Sequence, residues 1–287
     1  MYEDLSERID KYIKNMPSLP VSVTKVLEIC NNVMTNPADL NHVISLDPVL
    51  VGRVLKLLNS AYYGLGQKVT SLARAIIMLG INTVKNLVLS TAVLGTLPQN
   101  RDYKGLNMEG FWLHSLCVGV TAKLLVKKQQ GVDMKQIEDY FTAGLLHDIG
   151  KIPLSAVLSA NYLVPITNAD SSQTPLFVLE DKTFGLNHCT VGAMISDSWK
   201  LEGPVADAII HHHNLAAYSG VNKDLLDIIA IANYFASIND IGFAGDRNPE
   251  KPEAKIWAAT GIKEDIFEGI RKNVYEEIEK SKVFLKV

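Results

Sequence analysis

The chain has little that would cross-link it, anchor it in a bilayer or draw it to nucleic acid. Its 287 residues include three cysteines, Cys30, Cys117 and Cys189, far apart and each in an apolar or helical context. An odd, scattered set reads as reduced thiols, not as a disulfide framework. Without paired C-x-x-C spacing it does not read as a cysteine-built zinc site either. Basic residues are not in excess: 28 stand against 31 acidic ones, for a net charge of −3, and no basic stripe stands out. Nucleic acid is therefore a disfavoured partner. No uncharged apolar run reaches the length of a membrane span. The N-terminus "MYEDLSERIDKYIKN" is charged and amphipathic, unlike a signal peptide. These absences predict a soluble, cytoplasmic chain with no membrane partner. Strand signals are weak as well, and there is no repeat and no low-complexity tract.

What is present is helical periodicity. Val23, Val26, Leu27 and Cys30 recur three or four apart after Leu19-Pro20. "ADLNHVISLDPVLVGRVLKLLNS" reads as two helices meeting near Asp47-Pro48, where Asp caps and Pro suits the first turn. "SLARAIIMLG" opens on Ser71 and closes on Gly80, and "INTVKNLVLSTAVLG" follows as another helix. The polar stretch from Thr96 to Asn107 reads as a link between subdomains. After it, "FWLHSLCVGVTAKLLVKKQ", "QIEDYFTAGLLHDIG", a longer loop, "CTVGAMISDSWKL", "PVADAIIHHH" and "LLDIIAIANYFASI" follow, helical by pattern apart from the loop. "DRNPEKPEA" reads as a second linker, and the charged amphipathic tail as one or two helices that pack on the body or join a dimer. The expectation is an all-α protein of two helical subdomains: 1–105, 106–245, and a C-terminal helical tail at 246–287.

Six of the seven histidines fall in the second half: His114, His147, His188 and the run His211 to His213. His42, in the first half, has no evident partner and reads as structural or solvated. At about 100° per residue, three neighbours cannot share one helix face. With Val205, Ile209 and Ile210 inward, His212 and His213 also point inward, and His211 falls over Asp207 as a surface pair. A lone inward histidine reads as a core residue bonded to a carbonyl; two side by side each need a partner. In "AGLLHDIGKI", His147 and Asp148 close an apolar helix, which Gly150 ends. A carboxylate in a last turn faces the negative end of the helix dipole, and a bound cation would reverse that cost. The plain alternative is a carboxylate that is solvated or bonded to a neighbouring helix start. Taken together, these imidazoles and one carboxylate on separate helices suit a borderline divalent metal such as Fe, Mn, Zn or Ni, as one or two ions.

The order His114, then His147-Asp148 in "LLHDIGK", then His188, then His212-His213, resembles the HD superfamily of metal-dependent phosphohydrolases. "LDPVLVGRVLKLLNSAYYG" followed by "SLARAIIMLG" is similar to its HDOD branch, over roughly Met16 to Ile241. The resemblance implies an HD-type helical bundle as the C-terminal subdomain. It implies one metal held by His114, His147 and Asp148, with Asp148 bridging to a second held by His188, His212 and His213. It would place Lys151 near a substrate phosphate, with metals polarising a water for attack on phosphorus. Asp148 and Lys151 would then be the catalytic groups. Two departures stand out. Where the superfamily closes its first site with a late Asp, this chain has Asn233, and Asp240 lies two turns on, about 10 Å away at 1.5 Å per residue. The Gly-Tyr-Pro element of cyclic di-GMP phosphodiesterases is replaced by "HHHNLAAYSGVNK".

The resemblance supports two functions. One is a bacterial signal-transduction protein whose HD site holds metal or a nucleotide and whose output is binding to signalling partners. The other is an active metal-dependent phosphohydrolase on a nucleotide or cyclic dinucleotide. The remaining length leaves no room for a receiver, cyclase or DNA-binding segment, so input and output are expected from other chains. For either function, the long polar stretch Thr167 to Pro175 would suit a lid over the histidines.

Overall fold

Capping chemistry fixes the helix starts of the first half. The computed structural model describes residues 2–32, 34–97, 105–129, 133 and 136–286. The first six helices are α1 (Tyr2–Asn15), α2 (Val21–Cys30), α3 (Pro37–Ser45), α4 (Pro48–Leu58), α5 (Leu72–Leu79) and α6 (Ile81–Thr96). Asn36 and Asp39 form a capping box ahead of Pro37. Asp47 accepts from the Leu50 N–H at 3.0 Å, and Ser71 from the Arg74 N–H at 3.4 Å. Gly80, at φ 85°, closes α5 and opens α6, which turns away by 119°.

The second half runs α7 (Met108–Lys127), α8 (Ile137–Leu146), α9 (Lys151–Leu158), α10 (Leu163–Ser172), α11 (Leu176–Phe184), α12 (His188–Trp199), α13 (Gly203–His211) and α14 (Lys223–Ile238). The tail adds α15 (Ala254–Thr260) and α16 (Ile266–Ser281). No strand occurs among the described residues, and the fold is all-α. The axis of the body is α7, buried along most of its length and packed on α8, α14 and α16. It crosses α8 at two glycines: a Cβ on Gly144 would sit 2.7 Å from the Gly119 Cα, so backbone meets backbone there.

One expectation fails between Gly150 and His188. The longer loop is instead α9, a 3-10 turn over Ser159–Tyr162, α10 and α11. Its prolines looked like breakers. Pro153 and Pro165 occupy the third position of α9 and α10, and Pro175 precedes α11. First-turn N–H groups have no intrahelical partner, so Pro costs nothing there. The apolar run 137–172 is thereby broken into several helices, with 61% of its most apolar window buried inside the body.

The expected division at 105 borders residues 98–104, which lie outside the described residues. On either side of it the parts share one core. Asp139 of α8 accepts from Asn82 at 2.9 Å and Asn86 at 2.8 Å, both on α6. The α1 helix packs on α9 and α12, and Arg8 donates to the Val157 carbonyl at 3.0 Å. The tail packs on the body: α16 buries Phe267, Ile270, Val274 and Ile278, and beyond it Phe284 lodges between Tyr62 and Phe141.

Candidate metal centre

His147 and Asp148 occupy the turn between α8 and α9. The sequence reading had Gly150 ending their helix; α8 in fact stops at Leu146, and Gly150 leads into α9 at an ordinary φ of −63°. The reason for glycine is space. A Cβ there would lie 1.9 Å from the His188 carbonyl oxygen and 2.7 Å from the Gly192 nitrogen. The turn therefore rests directly on the first turn of α12 and brings Asp148 to His188. Asp148 also precedes the N-terminus of α9, whose dipole favours a carboxylate, the opposite of the expected cost.

Asp148 is fully buried and central. Its Oδ1 lies 3.3 Å from His188 Nε2 and 3.5 Å from His212 Nε2; its Oδ2 lies 2.7 Å from Lys151 Nζ and 3.3 Å from His147 Nε2. The other nitrogen of each ring is already committed. His147 Nδ1 is 2.7 Å from the Gly144 carbonyl, His212 Nδ1 is 2.8 Å from the Ala208 carbonyl, and His188 Nδ1 is 2.6 Å from Glu180 Oε2. A carbonyl or carboxylate only accepts, so each Nδ1 carries the proton. Nε2 of each ring therefore faces Asp148. Against burial, Glu180 and Cys189 raise His188 to about 10, and Cys189 and Asp148 raise His212 to about 9. The proton between their Nε2 atoms is thus one that a divalent cation would displace. The His188 and His212 Nε2 atoms are 3.3 Å apart, so at most one of them holds a proton. Asp148 Oδ1 and His147 Nε2 have no hydrogen bond although buried. Orphaned atoms of this kind, in a nest of imidazoles, fit a divalent cation.

Two residues that the sequence reading passed over belong to this cluster. Glu180, wholly buried on α11, accepts from the His188 backbone N–H at 2.9 Å, from His188 Nδ1 and from the Tyr162 hydroxyl. Burial pushes its carboxyl up, but His188, Lys151 and Tyr162 outweigh burial and hold it below its ordinary value. Cys189 Sγ lies 3.8 Å and 3.9 Å from the two His212 nitrogens. Burial raises this thiol, and His212 and His188 outweigh it, bringing it down to about 6. Neither residue had a local signal: Glu180 was hidden in the supposed loop, and the cysteines lacked paired spacing.

The other expected residues divide. His114 Nε2 is 2.9 Å from Asn233 Oδ1, and burial pushes its pKa down to about 3. His114, His147 and Asp148 bring ligand atoms within 4.8 Å of one another, and so do His188, Cys189 and His212. His213 instead stacks on Phe177, with centroids 4.3 Å apart. The buried face of α13 is Val205, Ala206, Ala208 and Ile209, with Ile210 only half-buried. His211 meets the Tyr218 ring rather than Asp207, whose carboxylate accepts from Tyr218 and Asn222. His42 is exposed, and Asp240 is exposed beyond the end of α14.

A cavity of about 180 Å³ opens beside the cluster, with His114, Lys151, His212, His213 and Asn233 on its wall. Thr167 to Ser172 is helical and does not line it. The cavity's outer wall is the supposed linker, through Asp246, Pro249, Glu250, Lys251 and Pro252. Asp246 anchors that segment by accepting from the Leu176 N–H at 2.9 Å.

An all-α body that gathers histidines from separate helices around a buried His-Asp pair has the architecture of an HD-type protein. The HDOD domain family matches residues 16–215, and the chain belongs to that family. The fold is similar to that of an HDOD domain protein of unknown function from Geobacter sulfurreducens, at 21% identity over 98% of both chains with a TM-score of 0.73. It is similar to a provisionally named phosphohydrolase from Shewanella amazonensis SB2B, at 24% identity over 97% of this chain and 98% of that one, TM-score 0.68. A provisionally named signal transduction protein from Marinobacter aquaeolei VT8 matches all of this chain with 66% of its own, at 17% identity and a TM-score of 0.74. An uncharacterized protein of Treponema pallidum (strain Nichols) is 27% identical over 230 residues, 80% of this chain but 43% of its own length. The chain thus spans less than half of that curated relative.

Proposed function

We propose that the chain is a bacterial signal-transduction protein whose HD-type site binds a divalent cation and whose output is binding to other proteins. The observation that carries this reading is the convergence of the Nε2 atoms of His147, His188 and His212 on Asp148, with Oδ1 unbonded. Imidazole and carboxylate donors suit Fe, Mn, Zn or Ni. His114, His147 and Asp148 would supply one set of ligands, and His188 with His212 another. A bound cation would satisfy the orphaned Asp148 Oδ1 and supply Lewis acidity to whatever enters the cavity.

Two features favour binding over turnover. Asn233 gives the first set a neutral oxygen, already bonded to His114. The cavity, at about 180 Å³, is smaller than the roughly 300–1,000 Å³ of ordinary ligand pockets, so it does not enclose a cyclic dinucleotide. Reduced thiols suit a cytoplasmic setting.

A second reading, hydrolysis of a small phosphate ester, rests on Lys151. Its ammonium lines the cavity beside Asp148, where it would meet a phosphate oxygen. Combining His147→Ala with Asp148→Ala tests the shared premise: metal binding should be lost, and Tm should fall even without metal because the buried Lys151 ammonium loses its partner. Unchanged metal content in that variant sinks the assignment. Metal-dependent turnover of nucleotide monophosphates by the loaded wild type would favour the second reading.

A further inference from the structure

We infer that this chain holds one cation, on the His188–His212 side of the site, and that Cys189 is its fourth ligand beside Asp148. The inference rests on the HD-type site being a metal site. It departs from the expected pair of ions and from the expected place of His213.

The four donor atoms are Asp148 Oδ1, His188 Nε2, His212 Nε2 and Cys189 Sγ. Asp148 Oδ1 is 3.3 Å from His188 Nε2 and 3.5 Å from His212 Nε2. The two ring nitrogens are 3.3 Å apart, and Cys189 Sγ is 3.9 Å from His212 Nε2. A tetrahedral ion with N and O ligands at about 2.0–2.2 Å and sulfur at about 2.3 Å sets its donors roughly 3.3–3.6 Å apart. The three separations among the oxygen and the two nitrogens match. The sulfur is a few tenths of an ångström long and lies as near to His212 Nδ1, at 3.8 Å, so its side chain must turn toward Nε2 to ligate. Asp148 Oδ1 is fully buried, without a hydrogen bond, and aimed into this space. Both rings have their Nδ1 protons committed elsewhere, so their Nε2 atoms are free to ligate. His213, by contrast, lies flat against Phe177.

The opposite side of Asp148 is already served. Lys151 Nζ sits 2.7 Å from Oδ2 and supplies the positive charge there. His114 Nε2 is taken up by the neutral Asn233 amide oxygen at 2.9 Å. That leaves His147 Nε2 as the uncommitted lone pair on this side, next to an ammonium, which disfavours a second cation. A thiolate among imidazoles moves the selectivity of the remaining site toward zinc or ferrous iron and away from magnesium or manganese.

The test is titration of the metal-free full chain with cobalt(II), read by absorption. The expected result is one equivalent bound, with tetrahedral visible bands and a near-ultraviolet sulfur-to-cobalt charge-transfer band. Cys189→Ser should lose the charge-transfer band, while a Cys30→Ser/Cys117→Ser chain keeps it. X-ray absorption of the zinc-loaded wild type needs no variant and should show one sulfur neighbour. Cobalt bound without the band, a band that survives Cys189→Ser, or a zinc shell without sulfur each overturns the role of Cys189 and leaves the metal site standing. Two equivalents bound overturn the single-ion claim. Binding of no cobalt overturns the metal-site reading beneath it.

Discussion

Glu180 touches no solvent, yet it fixes which nitrogen of His188 faces Asp148. Carboxylate partners of metal-bound imidazoles typically carry a 10–100-fold share of affinity. Glu180→Gln keeps the volume and loses the charge. It should weaken metal binding by about 10–100-fold with the helical spectrum intact, as measured by competition with a chromophoric chelator. Equal affinity in the two proteins would remove Glu180 from the site. Asn233→Asp makes the converse change: a carboxylate beside His114 should admit a second ion, seen as a rise from one to two equivalents in the same titration. The histidine order was legible as a succession that resembles the HD pattern. The apolar period gives a direction to His114 inside α7, whereas His147, His212 and His213 stand in turns past the ends of α8 and α13. Glu180 and Cys189 were not, because their roles come from α11 and α12 packing against the His147-Asp148 turn, a contact that no local spacing encodes.

Among the elements, the short helices with side-chain caps were the readable ones. Asp47 and Ser71 stand where the sequence put them, one residue ahead of α4 and α5. Asp47 accepts from the Leu50 N–H and from the Ser22 hydroxyl, and these bonds hold its carboxyl below the ordinary 3.8. A depressed carboxyl stabilises the fold above its unfolded pKa, and the gain is lost as pH falls through the lower folded value. Asp47→Ala should therefore cost about 1 kcal/mol near neutral pH, shrinking at pH below 3.8. Asp47→Asn should keep the cap and lose that pH dependence. Urea melts at several pH values check both, and a cost that persists undiminished in acid contradicts the assignment. The stretch from Lys151 to Phe184 was illegible for the opposite reason: its prolines are first-turn residues, and a sequence does not distinguish these from breakers until the helix behind them is seen. Gly150→Ala belongs to the same junction. Two backbone atoms stand within 2.7 Å of the added methyl, so α9 and α12 must separate, at about 3 kcal/mol, with metal retention falling alongside. A melt like that of the wild type would mean that the contact relaxes freely.

Across the whole molecule, the parts read from the sequence as two halves and a tail fold around one core. Composition shifts mark surface segments, and the shift at Asp246 to Ala254 marked a cavity wall rather than a joint. Phe284 ties the tail to both halves through Tyr62 and Phe141. Phe284→Ala should lower stability by about 3–5 kcal/mol, with fluorescence and circular dichroism melting together; a separate early transition of the tail would contradict a shared core. The central claim is that the buried His-Asp cluster is a metal centre. Elemental analysis of the untagged full chain, purified without chelator and without air, tests it most directly. The account predicts about one equivalent of zinc or iron per chain, lost in the His147→Ala/Asp148→Ala variant. A wild-type protein without metal that retains none after soaking would contradict it.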